Sequence, residues 1–488
     1  MTSVQEHTVV RQARGTRRRG RLPAVFAGLA ATIPLAFAPA AAAADEPQSL
    51  ASRAGEDWGT FLGPTGNGRS SLARMTIPWP AAGPPIVWHA PVGEGYCAPA
   101  VAFGRAVVFD RVGGDMRLRC LHAETGKKLW EERYPTAYVD TFGYDGGPRA
   151  APVIVGGRVL SFGPEGRLEC RRLADGGSLW RVDTAAEYHV VQNFFGVGAA
   201  PLVVAVGGRQ LVVVQVGGSP PGARPPSPER LELVKGLDSG LVAFELETGR
   251  EAWRCSDQLA SYATPILAGA AGVERILAWM RDDFLVVEPA AGTILGRFRW
   301  RADDVFSAVA ASPVVVGDQV LLTEAYAPGS VLLDLAPLAA GGRIGVLRRD
   351  RRGSRPDAAL KAHWSTPVLH EGHLYGQSGR NSGDSLVVCV DWQTGAVAWS
   401  EGGFGRASVT LACGHLIVLG EYGDLALVRA TPERYEEVSR TRVVDPGVAG
   451  RPADLLAPPC WAAPVIARGL LYVRGKDRLV CLDLTRVQ

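Results

Sequence analysis

Tyr96, Arg149, Tyr262, His363, Trp364, Cys460 and Trp461 stand two to four places ahead of a series of prolines, Pro99, Pro152, Pro265, Pro367 and Pro464. Aromatic rings with a guanidinium and an imidazole, returning at one offset, are the chemistry of recognition. Ring faces stack on a flat ligand or a peptide, and a few polar groups orient it. The segments between add Tyr138, Asp140, Tyr144, Asp145, Tyr188, Gln192, Asn193 and Phe194. Asp140, Asp145 and Asn193 offer the oxygen donors a hard cation takes. The same rings would serve equally as plugs that close a channel and cap a core. No catalytic residue is assigned, and no His or Cys spacing makes a zinc site.

A repeat positions these residues. Cys120–Trp130 (CLHAETGKKLW) returns as Cys170–Trp180, Ala243–Trp253 and Cys389–Trp399, with Gly six places and Trp ten places after the first residue. Alternating apolar and polar residues, a glycine turn and a returning strand make a β-hairpin. Trp130, Trp180, Trp253 and Trp399 read as docking residues that wedge one sheet against the next, each burying roughly 150–250 Å². Upstream of the hairpins runs a second unit, small-Pro-apolar-apolar, a turn and an apolar strand, with its proline at 99, 152, 201, 265, 313, 367 and 464 and Val409 in its place once. Proline at the start of a strand loses no ladder hydrogen bond.

Two strands plus two strands make a four-stranded antiparallel blade, and eight such units predict an all-β, closed eight-bladed propeller. The last unit ends at Gln488 before its fourth strand, while Pro85–Val92 carries an apolar strand and Trp88 ahead of the first. That N-terminal strand is expected to complete the last blade and remove the open edge. Units 4, 5 and 7 are degenerate: Gly296 stands where Trp is expected, and Val331–Pro337 and Ala426–Pro432 lack the Thr-Gly turn. Gly217–Leu237, rich in proline, interrupts unit 3 between its second and third strands on the funnel face, as a stiff lid or docking arm or as neutral drift. The basic stretch Arg343–Lys361 reads as a solvated loop.

The repeat unit resembles that of the pyrroloquinoline-quinone-type eight-bladed propellers, which include quinoprotein alcohol dehydrogenases and the outer-membrane assembly propeller BamB. Asp57–Pro64 (DWGTFLGP), Thr141–Tyr144 and Gln192–Gly196 (QNFFG) are similar to propeller proteins of this type from planctomycete-type bacteria. For the dehydrogenases the resemblance implies a quinone stacked on Trp, a vicinal Cys-Cys disulfide and calcium held beside a catalytic Asp. This chain has no Cys-Cys dipeptide and matches no enzyme motif residue by residue. The expectation is therefore a non-catalytic binding or scaffolding module for a protein or cell-envelope partner, without a cofactor. The alternative is a quinone- and calcium-dependent dehydrogenase.

The chain divides into a leader at 1–44, an extension at 45–84 and the propeller at 85–488. Arg11 to Arg21 precede an apolar run and a small-residue site ending at Ala44, the pattern of an export signal of the Sec or Tat type. Its removal leaves no integral membrane segment, and a periplasmic or extracytoplasmic monomer is expected. The net charge of +3 resides in the leader's six arginines, so the remainder is slightly acidic and nucleic acid is not an expected partner. Of the eight cysteines, Cys120, Cys170, Cys389 and Cys481 share one strand position and act as small hydrophobes. Cys97 and Cys460, near the ring closure, are the one candidate disulfide.

Overall fold

A computed structural model describes residues 53–270, 273–326, 328–350, 360–445 and 453–486. The export leader expected at 1–44 lies outside the described residues. The described chain forms eight four-stranded antiparallel sheets and one short two-stranded ribbon. Seven sheets are built from consecutive strands. Blade 1, for example, comprises Ala100–Ala102, Arg105–Val112, Asp115–His122 and Lys128–Pro135. The eighth takes Val465–Ala467, Leu470–Arg474 and Arg478–Asp483 from the C-terminus and Ile86–Pro91 from the N-terminus. Trp88 faces Cys481 across this closure, as expected. Arg474, 2% exposed, donates through its two terminal nitrogens to the carbonyls of Cys97, Phe109 and Gly93, so a buried guanidinium stitches blade 8 to blade 1.

The conserved geometry of the hairpins explains both the Trp and the Gly of the repeat. Trp130, Trp180, Trp253 and Trp399 are buried. Each donates its indole N–H to a turn carbonyl of the following blade, at Leu173, Leu246, Pro289 and Thr431, and Trp88 does the same to Ala123. Degenerate blades fill the same place differently. Gly296 leaves space that Leu338 and Ile344 occupy. Arg348 pairs opposite Leu332 at the Trp position of blade 5 and lies over Gly395 of blade 6. This corrects the expectation of a loop there: Gly345–Arg349 is the outer strand of blade 5, because blade 6 needs a side chain to cover its hairpin glycine. In blade 7 the position is Ser439, whose hydroxyl accepts the backbone N–H of Trp79, and Trp79 is buried in the core shared with blade 8.

The segment ahead of the ring belongs to its interior. Trp58 pairs with Val101 in blade 1, Gly59 O accepts from Ile154 N in blade 2, and Gly68 and Ser70 bond Leu411 in blade 7. Inner strands otherwise turn unpaired backbone groups toward the channel, and this segment satisfies several of them. Gly66 and Gly68 pass close to Ile266 and Val368, on the inner strands of blades 4 and 6. Residues 58–70 thus cross the channel as a plug. Among the described residues all eight cysteines are free. The Cys97–Cys460 bridge is not formed: the Cys97 thiol donates to Phe109 O and that of Cys460 points to Ala457 O. No helix among the described residues is long and apolar enough to cross a membrane.

Candidate functional site

The inner-strand proline fixes the site. A residue before proline is held extended, so the chain enters each inner strand in one conformation and the same offset points the same way in every blade. Thr264 Oγ1 accepts from Ala200 N, and Thr366 Oγ1 from Ser312 N, tying neighbouring entries together. Three places before the proline, or before Val409 in blade 7, stand Tyr96, Arg149, Gly198, Tyr262, Ala310, Trp364, Arg406 and Trp461, and all eight line one cavity of about 540 Å³. The plug contributes Phe61 and Leu62 to the same wall.

Large rings dominate from blade 6 round to blade 1. Trp461 lies 4.7 Å from Tyr96 and 5.1 Å from Trp364, centroid to centroid, and the edge of Tyr144 meets it at 5.9 Å. Opposite, where Gly198 and Ala310 leave room, Phe195 packs on Tyr262 at 5.6 Å and Phe142 meets Phe306 at 6.2 Å. A Cβ at Gly198 would approach Tyr262 to 2.8 Å, so the small residue is required for that ring to sit there. Three guanidiniums punctuate the wall, each over a ring: Arg406 over Trp461 at 4.5 Å, Arg149 over Phe195 at 5.0 Å, and Arg380 over Tyr326 at 4.1 Å. Each has a carboxylate, respectively Glu421, Asp140 and Asp304, so the cavity has rings and paired charges and no net excess of either sign.

His363 packs against Trp364 with its ring tilted by 49°, and its Nε2 lies 3.2 Å from the Tyr326 hydroxyl. Burial, with Arg406 and Arg380 nearby, pushes its pKa down to about 3, so the imidazole is neutral at physiological pH. Burial and Asp145 push the Tyr96 phenol up, and burial does the same to Tyr262. Burial likewise raises the Cys97 thiol on the cavity wall and leaves it unreactive. The indole N–H of Trp364 is buried without an acceptor. At the rim, Tyr144 is 52% exposed, Phe142 44% and Phe306 41%.

The structure brings together Tyr96, Tyr144, Arg149, Phe194, Tyr262, His363, Trp364 and Trp461. Asp140 stands behind the wall, holding Arg149. Gln192 and Asn193 line a separate, smaller cavity. Cys460 is fully buried, and Tyr138 and Tyr188 are buried away from the funnel, Tyr188 bonding Glu251 and packing on Phe244 between blades 2 and 3. Arg406 escapes a search for the proline because Val409 replaces it, although the offset from Val409 identifies it. Phe61, Phe142, Phe306, Tyr326 and Arg380 come from segments with no repeat register to reveal them.

Fold and funnel together define a closed eight-bladed propeller whose central opening is lined by aromatic side chains. The chain belongs to the family described as outer membrane protein assembly factor BamB, whose model matches residues 77–220 and 114–431. Among solved structures, BamB from Moraxella catarrhalis aligns with a TM-score of 0.51 at 13% identity, over 82% of this chain and 99% of that one. Quinohemoprotein alcohol dehydrogenase from Comamonas testosteroni aligns with a TM-score of 0.47 at 14% identity, over 88% of this chain and 81% of that one. At such identities the likeness speaks to the fold alone. A search of curated proteins returns no match.

Proposed function

We propose that this protein is an exported, non-catalytic propeller, acting as a monomer in the periplasm or another extracytoplasmic space. It binds a protein or cell-envelope partner through the aromatic funnel. The observation that carries this reading is the open cavity itself, with Tyr144, Phe142 and Phe306 exposed at its mouth and Trp364 and Trp461 inside. Apolar rings in a concave opening are the usual anchors of an interface, and a monomer rarely leaves such a cluster without use. The family's description as an outer membrane protein assembly factor supports a role in the cell envelope.

The alternative, a dehydrogenase using pyrroloquinoline quinone and calcium, finds no matching donor set. Asp140, Asp304 and Glu421 are each committed to a guanidinium. Asp145 accepts from the backbone of Gly95 and Gly147, and the Asn193 amide bonds Ala260 O and Phe194 N. Among the described residues no three His, Cys, Asp or Glu side chains converge where a metal ion could sit. Alanine exchange tests the binding reading. Tyr144→Ala and Phe306→Ala should weaken partner binding by at least about 2 kcal/mol each with melting nearly unchanged. Unchanged binding in both variants rejects the funnel as the docking face.

A further inference from the structure

Between the funnel-side ends of blades 2, 3 and 4 lies the second cavity, of about 130 Å³, room for roughly four waters. Its wall is mainly apolar, with Val190, Val191, Val197, Leu231 and Leu259 prominent. Into it comes Arg281, from the turn between the second and third strands of blade 4 and only 3% exposed. Its Nε and Nη2 are buried with no hydrogen-bond partner, and its one close ring contact is Phe194 at 5.8 Å. Arg301 beside it, 7% exposed, also has Nε and Nη2 unpartnered. The nearest acids do not settle this charge. Asp282 reaches Arg301 only at 3.6 Å, and Glu324 is taken by Ser307 and Ala302 N. Burial and the neighbouring Arg301 push the Arg281 pKa down to about 10, which the charges of Asp282 and Glu232 offset only in part.

The side-chain polar groups of Gln215, Ser261 and Asn193 on the wall are already engaged, Gln215 donating to Ala263 O, Ser261 to Trp279 O and Asn193 to Ala260 O. Glu165, the one carboxylate among the lining residues, takes the Tyr134 hydroxyl at 2.8 Å, and burial raises its pKa. The proline-rich insertion contributes Gly217 and Leu231 to the wall, and Leu231, 1% exposed, packs on Phe194 and Leu259. What remains is Arg281, a buried and under-bonded guanidinium lining a small, mainly apolar cavity.

We propose that this cavity binds a small free carboxylate, its two oxygens on the guanidinium of Arg281 and its short aliphatic body against Leu231 and Leu259. A guanidinium matches a carboxylate bidentately. Phosphate would bring further charged oxygens against a mainly apolar wall that already carries the carboxyl of Glu165, and the cavity is too small for a peptide chain. The site is independent of what the funnel binds.

The test is a thermal-shift and calorimetric titration of the full chain with formate, propionate and butyrate, with propionamide and inorganic phosphate alongside. Butyrate should raise the melting temperature saturably and bind about tenfold or more tighter than formate, while propionamide and phosphate give no saturable shift. Arg281→Met should abolish the butyrate response and, without ligand, melt at or above the wild type, because an unpaired buried charge has been removed. Should that variant fail to fold, the chain-length series on the wild type decides alone. No saturable carboxylate binding, equal affinity for formate and butyrate, an unchanged response in Arg281→Met, or tighter binding of phosphate would each overturn the proposal.

Discussion

Gly126 of blade 1 lies beneath the indole of Trp88 from blade 8, so close that a Cβ there would come within 2.7 Å of the ring. Gly176 sits so under Trp130, Gly249 under Trp180 and Gly292 under Trp253. In these four hairpins the repeat's Gly and Trp are therefore one contact, made between blades: the glycine is kept because the neighbour's tryptophan occupies the space, as Arg348 does over Gly395. The positive φ of these glycines, +68° at Gly126, adds a second requirement.

This contact sets the first prediction. Gly176→Ala should destabilise the protein by roughly 1–3 kcal/mol through overpacking against Trp130, and Trp130→Ala by about 3–5 kcal/mol through the cavity it leaves. Gly114, which has open space where a Cβ would go, is the control, and Gly114→Ala should stay within about 0.5 kcal/mol of the parent. Denaturant unfolding measures all three. Equal effects at Gly176 and Gly114 would refute the docking role.

Ring closure sets the second. A chain beginning at Glu94 loses the strand Ile86–Pro91, Trp88 and the channel plug together, and should melt far below the parent or not fold. A chain beginning at Pro85 keeps the closing strand and loses only the plug with Trp58 and Trp79, so its melting temperature should fall between the two. If both truncations melt like the parent, neither the closure nor the plug stabilises the ring.

A third prediction concerns pH. Burial pushes Glu324 up to about 7, above the ordinary glutamate value of 4.5. Between these values the folded state holds a proton that the unfolded state has released. Stability from this group is thus fully present below about 4.5, declines as pH rises toward 7 and is flat above. Glu324→Gln should remove this part of the slope, a difference on the order of 3 kcal/mol across the window, read from unfolding curves of both proteins. A slope identical in the two proteins would show that Glu324 ionises normally.

Residues that repeat were the legible ones. One offset from a proline placed Tyr96, Arg149, Tyr262, Trp364 and Trp461 around one opening, because extended entry into eight similar strands turns a sequence offset into a spatial ring. Arg406 obeys that rule and was hidden only by Val409. The plug was not legible: Trp58 to Ser70 has no counterpart elsewhere in the chain, and its pairing partners at Val101 and Leu411 are set by ring geometry. Arg348 reads as loop because a guanidinium doing a tryptophan's packing leaves no mark in the apolar pattern. Cys97 and Cys460 are near the closure in sequence order, yet Arg474 occupies the ground beside Cys97 that a bridge would need.

The funnel is most directly tested by site-specific photo-crosslinking in the native cell envelope. A crosslinking side chain at Tyr144 or Trp461, on the funnel, is compared with one at Gly207, in a turn on the opposite face. The account predicts a discrete adduct of constant mass from both funnel positions, lost on Phe306→Ala, and none from Gly207. Adducts at Gly207 alone, or no adduct from the funnel while the protein is folded and exported, would contradict it.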